Sequence, residues 1–148
     1  VVITSCLQPV VEACLSDEVD TGFFHVHTYS AHPVGCAAAL AGLELLNSGE
    51  ILERRQYIAQ RHKTFAAHLG AHPKVKDARS MGVIFAVDLA TDANRYGSLR
   101  DKLYHFFMQQ GVNLRPLGNT IYVLPPYVIT DEQLQQVYDA IEGALEIL

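Results

Sequence analysis

The sequence predicts an α+β fold, helices laid on a small antiparallel sheet, and three observations carry that expectation. Residues 51–69 repeat apolar side chains at helical spacing, residues 75–89 alternate apolar and polar ones, and residues 130–148 return to helical spacing. From residue 75 the order strand, helix, hairpin, helix reads as one helical layer on one sheet.

The first 50 residues are organised more loosely. Residues 1–5 form a short β-branched run that fits a buried strand, and residues 9–15 have the length and composition of a short helix before the polar Ser16-Asp17-Glu18 exit. From Pro33 to Asn47 small and apolar residues recur at helical spacing, Pro33 suits the first helical position, and Asn47-Ser48-Gly49 is a stop or kink signal. In residues 51–69 the stripe Ile51, Leu52, Ile58, Phe65 and Leu69 is expected to face the core, with Glu53, Arg54, Arg55, Gln60, Arg61 and Lys63 around it.

His72-Pro73 ends that helix. Residues 75–89 are expected to be a strand in which Val83, Phe85 and Val87 alternate with Ile84, Ala86 and Asp88, bent or bulged at Gly82. Residues 99–110 read as a helix closed by Gly111 in the left-handed conformation. Residues 112–115 and 120–124 read as two strands of a hairpin joined by Pro116-Leu117-Gly118-Asn119. Thr130-Asp131-Glu132 caps a final amphipathic helix through Leu134, Val137, Ile141, Leu145 and Leu148.

Composition narrows the function classes. At 148 residues the chain fits one domain burying roughly 70% of its unfolded surface. A net charge of −5 with scattered Lys and Arg argues against nucleic acid or an anionic membrane as the main partner. Glu12, Asp17 and Glu44 interrupt every candidate for the run of ~18 apolar residues that a membrane span needs. Cys6, Cys14 and Cys36 lie in apolar stretches without a CxxC pair, so buried, reduced thiols of a cytoplasmic protein are expected. The start at Val-Val-Ile-Thr-Ser has neither an initiator Met nor a basic region ahead of an apolar run; it does not read as a signal peptide, and the chain is expected to be cut from something longer.

Chemistry concentrates in two places. The loop Phe24-His25-Val26-His27-Thr28-Tyr29-Ser30-Ala31-His32 runs into a helix start, where hydroxyls and free N–H groups bind a phosphate well. Simple capping by Thr28 or Ser30 explains the same residues equally well. His25, His27, His32 and Cys36 raise a metal site, but their spacing matches no zinc pattern and no nearby acid supports it, so ordinary loop imidazoles with Cys36 in the core are favoured and no metal is expected. At the other place, Arg115 ends a strand before a proline turn, from which its planar fork can hold a carboxylate, or pair with a local acid, or stay solvated. Lys63, Lys74, Lys76 and Lys102 sit in polar helical or loop contexts, unlike a desolvated nucleophile. No nucleophile elbow or glycine-rich phosphate loop is present.

The block from Phe24 to Pro33, followed by Gly35-Cys36-Ala37-Ala38-Ala39, resembles the class III pyridoxal-phosphate-dependent aminotransferases. A second block, Arg115-Pro116-Leu117-Gly118-Asn119-Thr120-Ile121-Tyr122-Val123-Leu124-Pro125-Pro126-Tyr127-Val128-Ile129, is similar to the C-terminal signature of one branch, the adenosylmethionine-8-amino-7-oxononanoate aminotransferases of biotin biosynthesis. The resemblance extends over essentially the whole chain but covers only the last third or so of such enzymes. It implies the small C-terminal domain of a fold-type I pyridoxal-phosphate enzyme plus the end of its α/β large domain. Residues 1–32 would end the large cofactor-binding domain, 33–70 the connecting helical segment, and 71–148 form the small α+β domain.

By position, the resemblance makes Thr28, with His27 beside it, the contact to the pyridoxal 5'-phosphate phosphate of the other subunit in a homodimer. It makes Val26 a main-chain substrate contact where the family commonly has glycine. Arg115 matches the arginine that binds the carboxylate of 8-amino-7-oxononanoate, and Tyr122 the tyrosine associated with S-adenosylmethionine as amino donor. The Schiff-base lysine of the family has no counterpart here, so no catalytic residue is assigned and the chain alone is expected to be inactive. Two alternatives stay open: another class III aminotransferase using an ω-amino acid, and a non-catalytic dimerisation or metal-binding module.

Overall fold

Residues 5–15, 17–22, 28–91 and 97–148 are described by the computed structural model, in which the chain divides into two units, 1–48 and 49–148. In the first unit α1 (Gln8–Cys14) has Pro9 in its opening turn, where a missing N–H costs nothing, and a single 3-10 turn follows at Val19–Thr21. A turn over 28–31 carries Ala31 at φ 56°, a left-handed conformation uncommon outside glycine, and leads into α2 (Pro33–Leu46). Helix α2 ends at Asn47, whose N–H donates to the Leu43 carbonyl at 3.1 Å. The strand expected at residues 1–5 falls almost wholly outside the described residues.

No residue of α1 or α2 is buried; Val34, Leu40 and Leu45 are 70%, 63% and 67% exposed. This corrects the expectation for the cysteines. They are free thiols, but Cys6 and Cys36 are exposed and Cys14 is half-buried, because the apolar helices that carry Cys14 and Cys36, and that Cys6 precedes, bury none of their residues.

In the second unit α3 (Gly49–Leu69) precedes a sheet of three antiparallel strands in the order β1 (Val75–Met81), β2 (Ile84–Leu89), β3 (Thr120–Val123). Helix α4 (Ser98–Gln109) connects β2 to β3, and α5 (Asp131–Glu146) closes the unit. Phe85, Val87 and Leu89 of β2 and Ile121 and Val123 of β3 alternate inward, in the register Phe85↔Val123 and Val87↔Ile121. They join Phe65 and Leu69 of α3, Leu103 and Phe107 of α4, and Leu134, Ile141 and Leu145 of α5 in one apolar cluster. The α3 stripe is buried from Ile58 onward, while Leu52 remains 41% exposed.

Two strand expectations are corrected. The single strand over residues 75–89 is a hairpin: Met81 pairs with Ile84 around a two-residue turn whose first central residue, Gly82, has φ 56°. Glycine there admits the left-handed geometry of a tight hairpin turn, and the bulge lies instead between Val75 and Asp77. The expected hairpin of residues 112–115 with 120–124 keeps only its turn, in which Leu117 and Thr120 exchange backbone bonds of 2.8 and 3.1 Å around Gly118 at φ 65°. Thr120–Val123 pairs with β2. Residues 112–116 form no ladder; Val112 and Leu114 are buried while Asn113 and Arg115 are exposed, so the alternation reflects burial and not strand pairing.

The helix ends behave as their residues require. Gly111 at φ 72° follows α4. At α5 the Thr130 hydroxyl accepts the Gln133 N–H at 3.2 Å and the Gln133 side chain accepts the Thr130 N–H at 2.9 Å, a reciprocal capping box. The Lys74 ammonium donates to the Leu145 carbonyl at 2.7 Å and that of Lys102 to the Ile147 carbonyl, placing two cations on the negative end of α5.

Candidate functional site

In the second unit, the turn at Leu117 and Thr120 reverses the chain, with Arg115 before it and Tyr122 after it. Both line one cavity of about 550 Å³, walled by Leu124, Pro125, Ile129 and Val137 among others. Tyr122 is held in β3 by pairing with Ala86, which fixes the side of the sheet it faces. Arg115 is exposed, and no carboxylate of the described residues reaches its guanidinium, although Asp77, Asp88 and Asp131 elsewhere in this unit each take another arginine. Arg79 takes Asp77 and Asp88, each at 2.7 Å, and Arg54 takes Asp131 at 2.8 Å. The Arg79 guanidinium, with help from the Thr120 hydroxyl, holds the Asp88 carboxyl below its ordinary range. An unpaired fork above apolar walls can hold one carboxylate bidentately and leave room for an apolar chain.

In the first unit, Thr28 opens the exposed turn over 28–31. The capping of α2 falls to His32, whose Nδ1 accepts the Gly35 N–H at 3.4 Å, while the Cys36 N–H donates to the His32 carbonyl at 3.0 Å. Among the described residues nothing bonds to the Thr28 hydroxyl, which is thus open to an exogenous acceptor such as a phosphate oxygen. Val26 and His27, expected beside it, lie outside the described residues, as does His25. Among the described residues no group of three His, Cys, Asp or Glu converges on a metal-sized gap. None of the described helices is long and apolar enough to cross a membrane.

The structure thus brings Arg115 and Tyr122 into one cavity. Sequence reasoning missed its far wall: Pro125, Pro126 and Ile129 stood inside a motif read only for its resemblance, and Gln133 and Gln136 stood on a helix read only for its cap. The consecutive prolines were the available signal, since they cannot extend β3 and must turn the chain across its end.

These residues sit in a chain whose relatives are recognisable. It is 38% identical, over 97% of its length, to the adenosylmethionine-8-amino-7-oxononanoate aminotransferase of Synechococcus elongatus, and covers 34% of that protein. The enzyme of that name from Nitratidesulfovibrio vulgaris is 33% identical over 97% of the chain, which covers 29% of it. The chain therefore spans about a third of the length of these curated relatives. A pyridoxal-phosphate-bound aminotransferase from Vibrio fluvialis superposes on 84% of the chain with a TM-score of 0.74 at 26% identity, the chain covering 29% of it. An ω-aminotransferase from Paracoccus denitrificans does so with the same TM-score, identity and coverage. Since the pattern of aminotransferase class-III matches from residue 6 to residue 145, the two candidate sites and the helices between and around them belong to a chain of the class-III aminotransferase family.

Proposed function

We propose that this chain is the C-terminal part of an aminotransferase that moves an amino group from S-adenosylmethionine to 8-amino-7-oxononanoate, giving 7,8-diaminononanoate in biotin biosynthesis. The observation that carries the reading is that Arg115, which no carboxylate of the described residues reaches, lines with Tyr122 one largely apolar cavity, which suits a single carboxylate on a long apolar chain. The relatives named for that reaction support it. Arg115 then binds and orients the carboxylate, and Tyr122 contributes to accepting the amino donor.

Pyridoxal 5'-phosphate supplies the electron sink for such chemistry when bound, and the protein supplies binding and orientation. On this reading the open Thr28 hydroxyl, with His27 beside it, holds the phosphate across a homodimer interface, and Val26 meets substrate through its main chain. Residues 1–32 end the large cofactor-binding domain, 33–70 form the connecting helical segment, and 71–148 form the small domain of a cytoplasmic enzyme. The exposed apolar residues of α2 support an assembly larger than this chain. These 148 residues carry no counterpart of the lysine that bears the cofactor, so alone they should show no borohydride-reducible cofactor bond.

The ω-aminotransferases among the structural neighbours favour a second reading, in which an ω-amino acid is the donor. Full-length protein supplied with the oxo acid and either S-adenosylmethionine or alanine separates the two. Diaminononanoate formed with S-adenosylmethionine supports the first; turnover with alanine alone supports the second, and no turnover of the oxo acid with either removes the first.

A further inference from the structure

We propose that Arg54, on α3 and outside the cavity, is a positioning residue for the substrate cavity of Arg115 and Tyr122. The inference rests on the reading of that cavity as the carboxylate-substrate site. Beyond β3 the chain forms the far wall through Pro125, Pro126 and Ile129, yet this wall has almost no backbone support of its own. Two consecutive prolines donate no N–H, no ladder continues past Val123, and among the described residues its one internal backbone bond is Ile129 N–H to the Pro126 carbonyl at 3.1 Å.

The side-chain polar ties that hold it come from α3. One guanidinium nitrogen of Arg54 donates to the Ile129 carbonyl, and the other donates at 2.8 Å to Asp131, the first residue of α5. The Tyr57 hydroxyl donates to the second oxygen of the same carboxylate at 2.9 Å, so both Asp131 oxygens are occupied from one turn of α3. Arg55 lies over the Tyr127 ring, 5.9 Å from its centroid, and adds a contact at the middle of the same loop. The Arg54 fork thus spans the junction between the wall and the helix that follows it. A lysine, with a single ammonium, cannot serve the carbonyl and the carboxylate in the same geometry.

In this arrangement Arg54 sets the distance between the Pro125–Pro126–Ile129 wall and Arg115, and hence how well the apolar chain of a carboxylate substrate is gripped while its carboxylate pairs with the guanidinium. Loss of the anchor loosens the wall and weakens substrate binding, leaving the cofactor chemistry untouched.

The test uses full-length enzyme with the oxo acid as varied substrate. Arg54→Ala should raise KM for the oxo acid about tenfold with kcat within about twofold, as expected for losing two charge-assisted bonds that act on binding alone. Arg54→Lys should fall between wild type and Arg54→Ala, and Tyr57→Phe should raise KM by a smaller factor without disturbing the fold. An unchanged KM in Arg54→Ala, or a fall in kcat at constant KM, overturns the proposal, since a purely structural loss lowers the active fraction and not the affinity. Arg115→Ala is the companion arm. If it raises KM while Arg54→Ala does not, the positioning role alone fails; if it leaves KM unchanged, the reading of the cavity fails.

Discussion

The Tyr138 hydroxyl donates to Nδ1 of His62 across 2.8 Å, linking α5 to α3 inside the core, where His62 has no exposed surface. The other ring nitrogen, Nε2, lies 3.1 Å from the Val83 carbonyl in the β1–β2 turn. A carbonyl only accepts, so Nε2 carries the proton and Nδ1 is the acceptor, which assigns the neutral tautomer. Burial pushes the His62 pKa down, against a smaller opposing pull from the Val83 carbonyl. One imidazole therefore ties three elements together, and its burial favours the uncharged form.

Stability should fall as pH drops below 6.5, the ordinary histidine value. In the unfolded chain this imidazole takes up a proton there, while the folded one stays neutral to lower pH, so the unfolded state binds more protons and gains. Urea unfolding midpoints taken at intervals from neutral pH downward check this. A midpoint that stays level through the histidine range would falsify the assignment.

Tyr138→Phe should cost about 1–3 kcal/mol, the range for leaving a buried acceptor unpaired. The Phe65 ring, stacked on Tyr138 at 4.1 Å, keeps the apolar packing nearly constant, so the loss isolates the hydroxyl. Burial pushes the Tyr138 phenol up to about 12, so in the native protein it should not ionise in moderate alkali. Ultraviolet titration of the phenolate reads this directly.

Glycine substitutions should separate by sign. Gly82→Ala meets no atom within 4 Å but inherits φ 56°, so it should destabilise by about 1–2 kcal/mol through the backbone alone. Gly111→Ala should cost more, because φ 72° is joined by the Gln136 side-chain nitrogen at 3.2 Å. Gly42→Ala, inside α2 with nothing within 4 Å, should instead raise helix stability by about 0.5–1 kcal/mol. Calorimetry on the three variants reads all three signs.

Thr130→Ala removes one half of the α5 capping box and should cost about 0.5–2 kcal/mol, with Thr130→Ser close to wild type. Equal denaturant midpoints for the Ala and Ser variants would count against the cap.

If the cavity is the carboxylate-substrate site proposed above, Arg115→Ala in the full-length protein should weaken productive binding of the oxo acid by about 1.5–3 kcal/mol, as expected when a charged hydrogen-bond partner is lost. Arg115→Lys should recover part of it, since an ammonium keeps the charge and loses the fork. Steady-state kcat/KM for the three proteins decides.

Helices were legible wherever a stop residue or a cap accompanied the periodicity. Pro33, Gly111 and Thr130 each mark a boundary that the structure keeps to within a residue or two. Strands were less legible because alternation reports burial, not pairing. Residues 112–115 alternate as well as β2 does, yet pair with nothing, and Gly82 was read for its missing side chain rather than for its backbone angle. His62 was invisible for a similar reason: a histidine on a helix looks like surface until a tyrosine 76 positions away and a turn carbonyl supply its partners. Of the candidate site, Arg115 and Tyr122 share a cavity because a short turn joins their segments, whereas the wall opposite depends on Arg54, 75 residues from the carbonyl it holds.

The outer strands of the sheet bear on how the protein behaves in concentrated solution. β1 is broken by its bulge and lined with Lys76, Asp77 and Arg79, and β3 is four residues long and soon followed by Pro125–Pro126. Neither edge offers the long, flat row of free backbone groups on which a strand from another molecule could add. Precipitation of this chain should therefore proceed through apolar helix faces such as that of α2, giving amorphous clumps that mild detergent disperses rather than dye-binding fibrils.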